Sequence, residues 1–194
     1  MAKAQKIKQK KTVKKRFFPV DSKLTSTKIE LYASEPEDLI GKVVKIDLTK
    51  PLRGKAFELK LKVISHLDKL STEPISMQLF QPYIKKIIRK GTDYSEDSFE
   101  SSAKDYILRI KPLLVTRNRV SRSVLNALRE NARKQINSYV KIRTTQEIFT
   151  DITTNKFQKE LSQKLKKIYP LALCEIRSIK TIKPVEKTKE EKNQ

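Results

Sequence analysis

The chain has 194 residues, and 44 Lys and Arg against 22 Asp and Glu give it a formal net charge of +22. Such a surplus repels itself in a compact state and points to a polyanionic partner, nucleic acid first and an acidic membrane surface second. No run of about 18 apolar residues is there to span a bilayer, no apolar core follows the basic N-terminus as in a secretory leader, and the lone Cys174 has no internal disulfide partner. These features predict a cytoplasmic protein with no membrane association. Hydrophobic residues at 37% are enough for one folded domain flanked by charged ends.

Residues 1–16 carry Lys3, Lys6, Lys8, Lys10, Lys11, Lys14, Lys15 and Arg16 with no acid and no apolar face. They read as an extended arm that threads RNA; a solvated tail or a targeting signal is the alternative. The folded domain is expected over residues 17–182. Residues 34–41 read as a short helix, with Ser34 as cap, Pro36 in the first turn and Gly41 as stop. A strand follows at 42–47. The clearest strand is 56–65, where Phe57, Leu59, Leu61 and Val63 alternate with Glu58, Lys60, Lys62 and Ile64. Ile75, Met77 and Leu79 repeat that period briefly.

Pro82 opens a short helix that buries Ile84, Ile87 and Ile88 and ends at Gly91, which leaves Lys85, Lys86, Arg89 and Lys90 outward. Residues 94–115 hold two strands joined near Ala103-Lys104-Asp105. The period then changes. Val124, Leu128, Ala132 and Ile136 fall four apart, beside Leu125, Tyr139 and Val140, in a helix of about five turns. Further helices are expected at 145–152 and 155–169, the second stopped by Pro170. A last strand covers 174–182, and 183–194 is a charged tail expected to be disordered. Strands in the first half and helices in the second predict an α+β fold, an antiparallel sheet or barrel with helices on one side.

Catalysis is poorly supplied. One histidine, His66, and one cysteine exclude a Cys/His zinc site within the chain. Gly41, Gly54 and Gly91 are too dispersed for a phosphate-cradling loop. Asp93, Glu96, Asp97 and Glu100 form the one acidic group that a Mg²⁺-dependent nuclease would use, but adjacent Glu96 and Asp97 point to opposite faces of a strand. No enzyme, metal or cofactor is therefore expected. The basic stretch is stronger: Arg117, Arg119, Arg122, Arg129, Arg133, Lys134, Lys141 and Arg143 face the single acid Glu130. An ordinary solvated helix mixes both signs. Guanidinium forks match phosphate oxygens, and no zinc-finger or RNP-type motif for reading bases is present.

Several stretches together resemble the archaeal and eukaryotic small-subunit ribosomal proteins of the S-one-e (S-three-A-e) family. They are Lys14-Lys15-Arg16-Phe17-Phe18-Pro19-Val20, Leu39-Ile40-Gly41-Lys42-Val43-Val44 and the Leu48-Thr49 turn. Tyr83-Ile84 through Arg89-Lys90-Gly91-Thr92, Ala103-Lys104-Asp105-Tyr106 and Arg129 to Lys134 follow in order. The most specific piece is Lys166-Lys167-Ile168-Tyr169-Pro170-Leu171 followed by Glu175-Ile176-Arg177. Phe17-Phe18 stands where the family usually has Trp-Tyr, and the usual glycine after Asp105 is absent. The short C-terminal tail is more similar to archaeal or reduced-eukaryotic members than to animal ones.

The resemblance implies a barrel-like antiparallel sheet, placed here in the first half of the chain, with helices packed against it. It implies a structural constituent of the small subunit, on the platform near the 3′ end of the rRNA and the mRNA exit region. Its partners would be small-subunit rRNA and platform neighbours including the universal protein S eleven, with mRNA nearby and one copy per assembly. A free-standing RNA-binding, chaperone-like protein is the alternative.

Overall fold

The computed structural model describes residues 14–25, 27–50, 52, 55–66 and 69–185. The lysines predicted to line the arm at positions 3–11, and the tail beyond residue 185, lie outside the described residues. The elements run β1 (Arg16–Val20), β2 (Ile29–Ala33), β3 (Val43–Asp47), β4 (Phe57–His66), β5 (Lys69–Leu79), α1 (Gln81–Ile87), β6 (Tyr94–Glu96), β7 (Phe99–Ser102), β8 (Tyr106–Thr116), α2 (Arg122–Lys141), α3 (Thr145–Thr153), α4 (Lys156–Leu165) and β9 (Leu171–Pro184).

Most of these follow from local chemistry. On β4, Phe57, Leu59, Leu61 and Val63 are fully buried while the intervening side chains face outward. On α2, Leu128, Ala132, Ile136 and Val140 make one buried stripe with Tyr139. Thr144 starts α3 with a reciprocal capping box: its hydroxyl accepts from the Glu147 N–H at 3.4 Å, and its own N–H donates to the Glu147 carboxylate at 3.1 Å. The helix predicted over 34–41 is a single 3-10 turn, Glu37–Leu39, with Pro36 rather than Ser34 at its N-cap. Gly41 ends it at φ +83°, a conformation that favours glycine, and donates its N–H to the Val63 carbonyl at 2.8 Å.

The sheet corrects the barrel expectation. Its seven described strands are antiparallel in the order β3-β4-β5-β9-β8-β6, with β7 also on β8, and no ladder joins β3 to β6 or β7. Closure would require the two edge strands to share hydrogen bonds. Instead β7 and then β6 occupy successive stretches of one side of β8, Ile107–Ile110 and Leu113–Val115. They are four and three residues long, and short edges of this kind are a common way to end a sheet. Helix α2 packs on β6 and β7, α3 on β5 and α4 on β9, so the helical layer closes the core that a barrel would have closed on itself.

The sheet is not confined to the first half either. β9, from the end of the chain, lies between β5 and β8 at its centre. Sequence alternation marks a strand but not its partner, so this non-local insertion was not readable. The β1–β2 ribbon was also missed. Its strands have five residues each, and Pro19 interrupts the donor pattern of β1. The ribbon is tied to β5 by the Asp21 N–H donating to the Leu70 carbonyl at 3.0 Å.

Candidate nucleic-acid interface

Helix α2 displays the predicted arginines. Steps of seven and four residues bring Arg122, Arg129 and Arg133 back to within about 20° of one line, over a rise of about 16 Å. All three are exposed, as are Lys134 and Lys141 on a neighbouring strip of the helix. None of the five has a carboxylate within ion-pair distance among the described residues. The Arg133 guanidinium lies 5.4 Å from the Phe99 ring centroid, which steadies it over β7 and leaves its charge unneutralised.

Arg117 and Arg119 sit in the loop between β8 and α2, both exposed. Asp93 holds that loop. Its carboxylate accepts from the Val120 N–H at 2.8 Å, and its carbonyl accepts from the Thr116 N–H at 2.8 Å and the Thr116 hydroxyl at 2.9 Å. The sequence singled out Asp93 as a possible metal ligand, whereas its observed role is to fix the loop that bears two arginines. Across from the loop, α1 contributes Lys86, and Arg89 follows it. These two converge with Arg117, Tyr83 and Thr92 around an open cleft of about 520 Å³. Burial, with the Glu175 charge behind it, raises the Tyr83 phenol above its ordinary range. Lys85 and Lys90 are exposed but do not line the cleft.

Arg143 differs from the rest of its set. Its guanidinium stacks 3.4 Å from the Tyr139 ring centroid and lies 3.6 Å from the Asp151 carboxylate, to which the Tyr139 hydroxyl donates at 2.6 Å. That charge is engaged in joining α2 to α3. Of the arm, Lys14, Lys15 and Arg16 are within the described residues, all exposed, with Arg16 already in β1.

A further basic array was not foreseen. Strand register places Lys45, Lys60, Ser76, Lys180, Arg109 and Glu100 side by side across six strands, on the sheet face away from the core. The neighbouring row begins Asp47, Glu58, Gln78, Ser178, Lys111. Only the pairing order reveals these rows, because the residues come from distant parts of the chain.

The acids of 93–100 are spent separately. Glu96 pairs with Arg177, Glu100 with Arg109, and Asp97 accepts from the Ser98 N–H at 2.8 Å. Among the described residues no three His, Cys, Asp or Glu side chains gather where they could hold a metal. Cys174 is buried, and burial pushes its thiol well above the ordinary range, away from the reactive thiolate. Among the described residues no helix is long and apolar enough to cross a membrane.

The model of the Ribosomal S3Ae family matches residues 3–184. The chain belongs to this family. The S3Ae proteins are small-subunit ribosomal proteins of archaea and eukaryotes, so the role here is structural and non-catalytic, in translation and through rRNA. Among curated relatives, the small ribosomal subunit protein eS1 of Saccharolobus islandicus (strain L.S.2.15 / Lassen #1) is 27% identical over 139 residues, 71% of this chain and 67% of that protein. The eS1 protein of Desulfurococcus amylolyticus is 26% identical over 155 residues, 77% and 73% of the two chains. That of Methanothermobacter thermautotrophicus is 28% identical over 132 residues, 67% and 68%.

Proposed function

We propose that this S3Ae protein occupies the platform of the small subunit, beside the 3′ end of the rRNA and the mRNA exit region, as a single copy in cytoplasmic ribosomes. The universal protein S eleven would be a neighbour, with mRNA close by. The observation that carries the RNA-binding part is the row of Arg122, Arg129 and Arg133, exposed and with no acid paired to it among the described residues. A cation row of this kind has no counter-charge of its own until a polyanion arrives.

In this reading residues 17–182 are the rRNA-binding domain. Arg117 and Arg119 extend the α2 row and Lys134 and Lys141 flank it, while Lys85, Lys86, Arg89 and Lys90 approach a second stretch of backbone. The arm, from Lys3 through Arg16, reaches further along the RNA. Phosphate contacts of this type position the protein without reading sequence.

Sucrose-gradient sedimentation of native lysate, with this protein probed in each fraction at low and high salt, tests the assignment. Stoichiometric migration with the small subunit is expected. Recovery only from the light fractions would transfer the assignment to a free-standing, chaperone-like RNA binder. Crosslinking within the purified subunit tests the address, since crosslinks confined to rRNA far from its 3′ end would refute the platform position.

A further inference from the structure

The β1–β2 ribbon turns one face to the core and one to solvent. Phe18, Leu31, Val20 and Ile29 pack inward. On the outward face Phe17 stands opposite Tyr32 in register, with ring centroids 4.9 Å apart and planes tilted by 45°. Phe17 is 68% exposed and Tyr32 56%. The chain has only 13 aromatic residues, 7 Phe and 6 Tyr, so a cross-strand pair left in water is a conspicuous use of two of them. The Lys15 ammonium sits 5.9 Å from the Tyr32 ring centroid. Lys14, Lys15 and Arg16 are exposed, and none is within ion-pair distance of a carboxylate among the described residues.

We infer that the Phe17–Tyr32 pair is a stacking platform for an unpaired base of single-stranded RNA, with Lys15, beside the Tyr32 ring, meeting the adjoining phosphate and Lys14 and Arg16 adding positive charge at the edge of the ribbon. The inference rests on the RNA-binding reading above and adds the kind of RNA taken at this ribbon. Charge selects the occupant: Lys14, Lys15 and Arg16 lead into the aromatic pair with Lys15 beside the Tyr32 ring, the one acid on the same face, Glu30, lies at the far end opposite Pro19, and a nucleotide is the ligand that presents a flat π face beside an anion. A protein neighbour docking there would meet those same three cations at its edge. Stacking on aromatic rings tolerates any base, but it requires a base free of its own helix, so the platform discriminates single strand from duplex rather than one sequence from another.

The test titrates the full-length protein with a single-stranded RNA oligonucleotide and with a duplex of the same sequence, at one salt concentration. Phe17→Leu/Tyr32→Leu keeps apolar side chains on the ribbon and removes both π faces. It is expected to lose about five- to a hundred-fold in affinity for the single strand and to bind the duplex as before. Because the chain has no tryptophan, Phe17→Trp supplies a single indole reporter. Its emission should be quenched by the single strand and not by the duplex.

Single-strand binding unchanged in the double-Leu variant, or emission indifferent to RNA, overturns the platform. An equal loss for strand and duplex overturns it too, because the rings would then be supporting the fold. So would intact RNA binding combined with failure to enter the subunit, which would assign the face to a neighbouring protein. The wider reading is judged separately, by replacing Arg122, Arg129 and Arg133: loss there with no loss at Phe17 and Tyr32 leaves phosphate binding standing and removes only the platform.

Discussion

Along α2, Arg122, Arg129 and Arg133 share a line with no acid paired to them among the described residues. Across the open face of the sheet, Lys45, Lys60, Lys180 and Arg109 also share a line, but Glu100 pairs with Arg109 at its end and Glu58 lies 3.9 Å from Lys60. Deeper still, the Lys55 ammonium is bound to the buried carboxylate of Glu175 and donates to the Asn155 side chain at 2.6 Å. The same residue types thus serve three purposes, and environment rather than identity separates them. Cations bound to a buried acid hold the fold, cations interleaved with acids keep a surface hydrated, and unpaired cations are free to meet phosphate.

The Lys55–Glu175 pair, its carboxylate buried and its ammonium partly exposed, carries the largest expected effect. Glu175 is 2% exposed, and Gln158 approaches its second oxygen at 3.5 Å. Lys55→Met strips the carboxylate of its counter-charge and leaves a buried anion, which should cost about 3–5 kcal/mol in urea unfolding. RNA affinity of the molecules that remain folded should not change. A loss below about 1 kcal/mol would place Lys55 with the surface charges instead.

The α2 row should behave in the opposite way. Arg122→Ala/Arg129→Ala/Arg133→Ala removes the three proposed phosphate contacts, each contributing about 0.7 to the slope of log affinity against log salt on single strands, so the slope should fall by about 2. Alanine favours helix, and all three side chains are exposed, so unfolding free energy should stay within about 1 kcal/mol of wild type. Unfolding of the variant, or an unchanged slope, would erase the distinction between the two regions.

Much of this division was legible in the sequence, and what was missed has a common cause. The stripe from Leu128 to Val140 fixed which side of α2 is buried, so the exposure of Arg122, Arg129 and Arg133 followed from helical spacing. The alternation from Phe57 to Val63 fixed β4 in the same way. Partners distant in the chain had no such signature. Nothing local marks Glu175 as the mate of Lys55, or Asp93 as the anchor of the loop bearing Arg117 and Arg119. The insertion of β9 at the centre of the sheet is of the same kind, and so is the absence of a ladder joining its edges, which overturns the barrel expectation. Even Phe17 and Tyr32, visible as residue types, became a pair only through strand register.

Arg143 sharpens the comparison because it belongs by sequence to the proposed RNA-binding set and by contact to the fold. Its guanidinium is committed to the Tyr139 ring and to Asp151. Arg143→Ala should cost about 1–2 kcal/mol of stability, the size of a partly desolvated cation–π contact, and lower the salt slope by much less than one phosphate contact. A full loss of about 0.7 in slope with stability retained would return it to the proposed RNA-binding row.

The smallest effect is also the most direct test of why the sheet face differs from α2. If interleaved acids are what keep Lys60 and Arg109 from acting as phosphate ligands, then removing the acids should create a binding surface without adding a single cation. The Arg109–Glu100 pair is about half exposed on both sides, so breaking it should cost well under 1 kcal/mol, given solvent screening. Glu58→Gln/Glu100→Gln should therefore fold normally while RNA affinity rises a few-fold at low salt, and the gain should vanish as salt increases. Asp47 remains in the adjacent row and limits the increase. No gain at low salt would mean that the geometry of a flat sheet, rather than its acids, keeps these lysines and arginines from taking up RNA. Unpaired charge on α2 would then need its helical spacing as well as its freedom to bind.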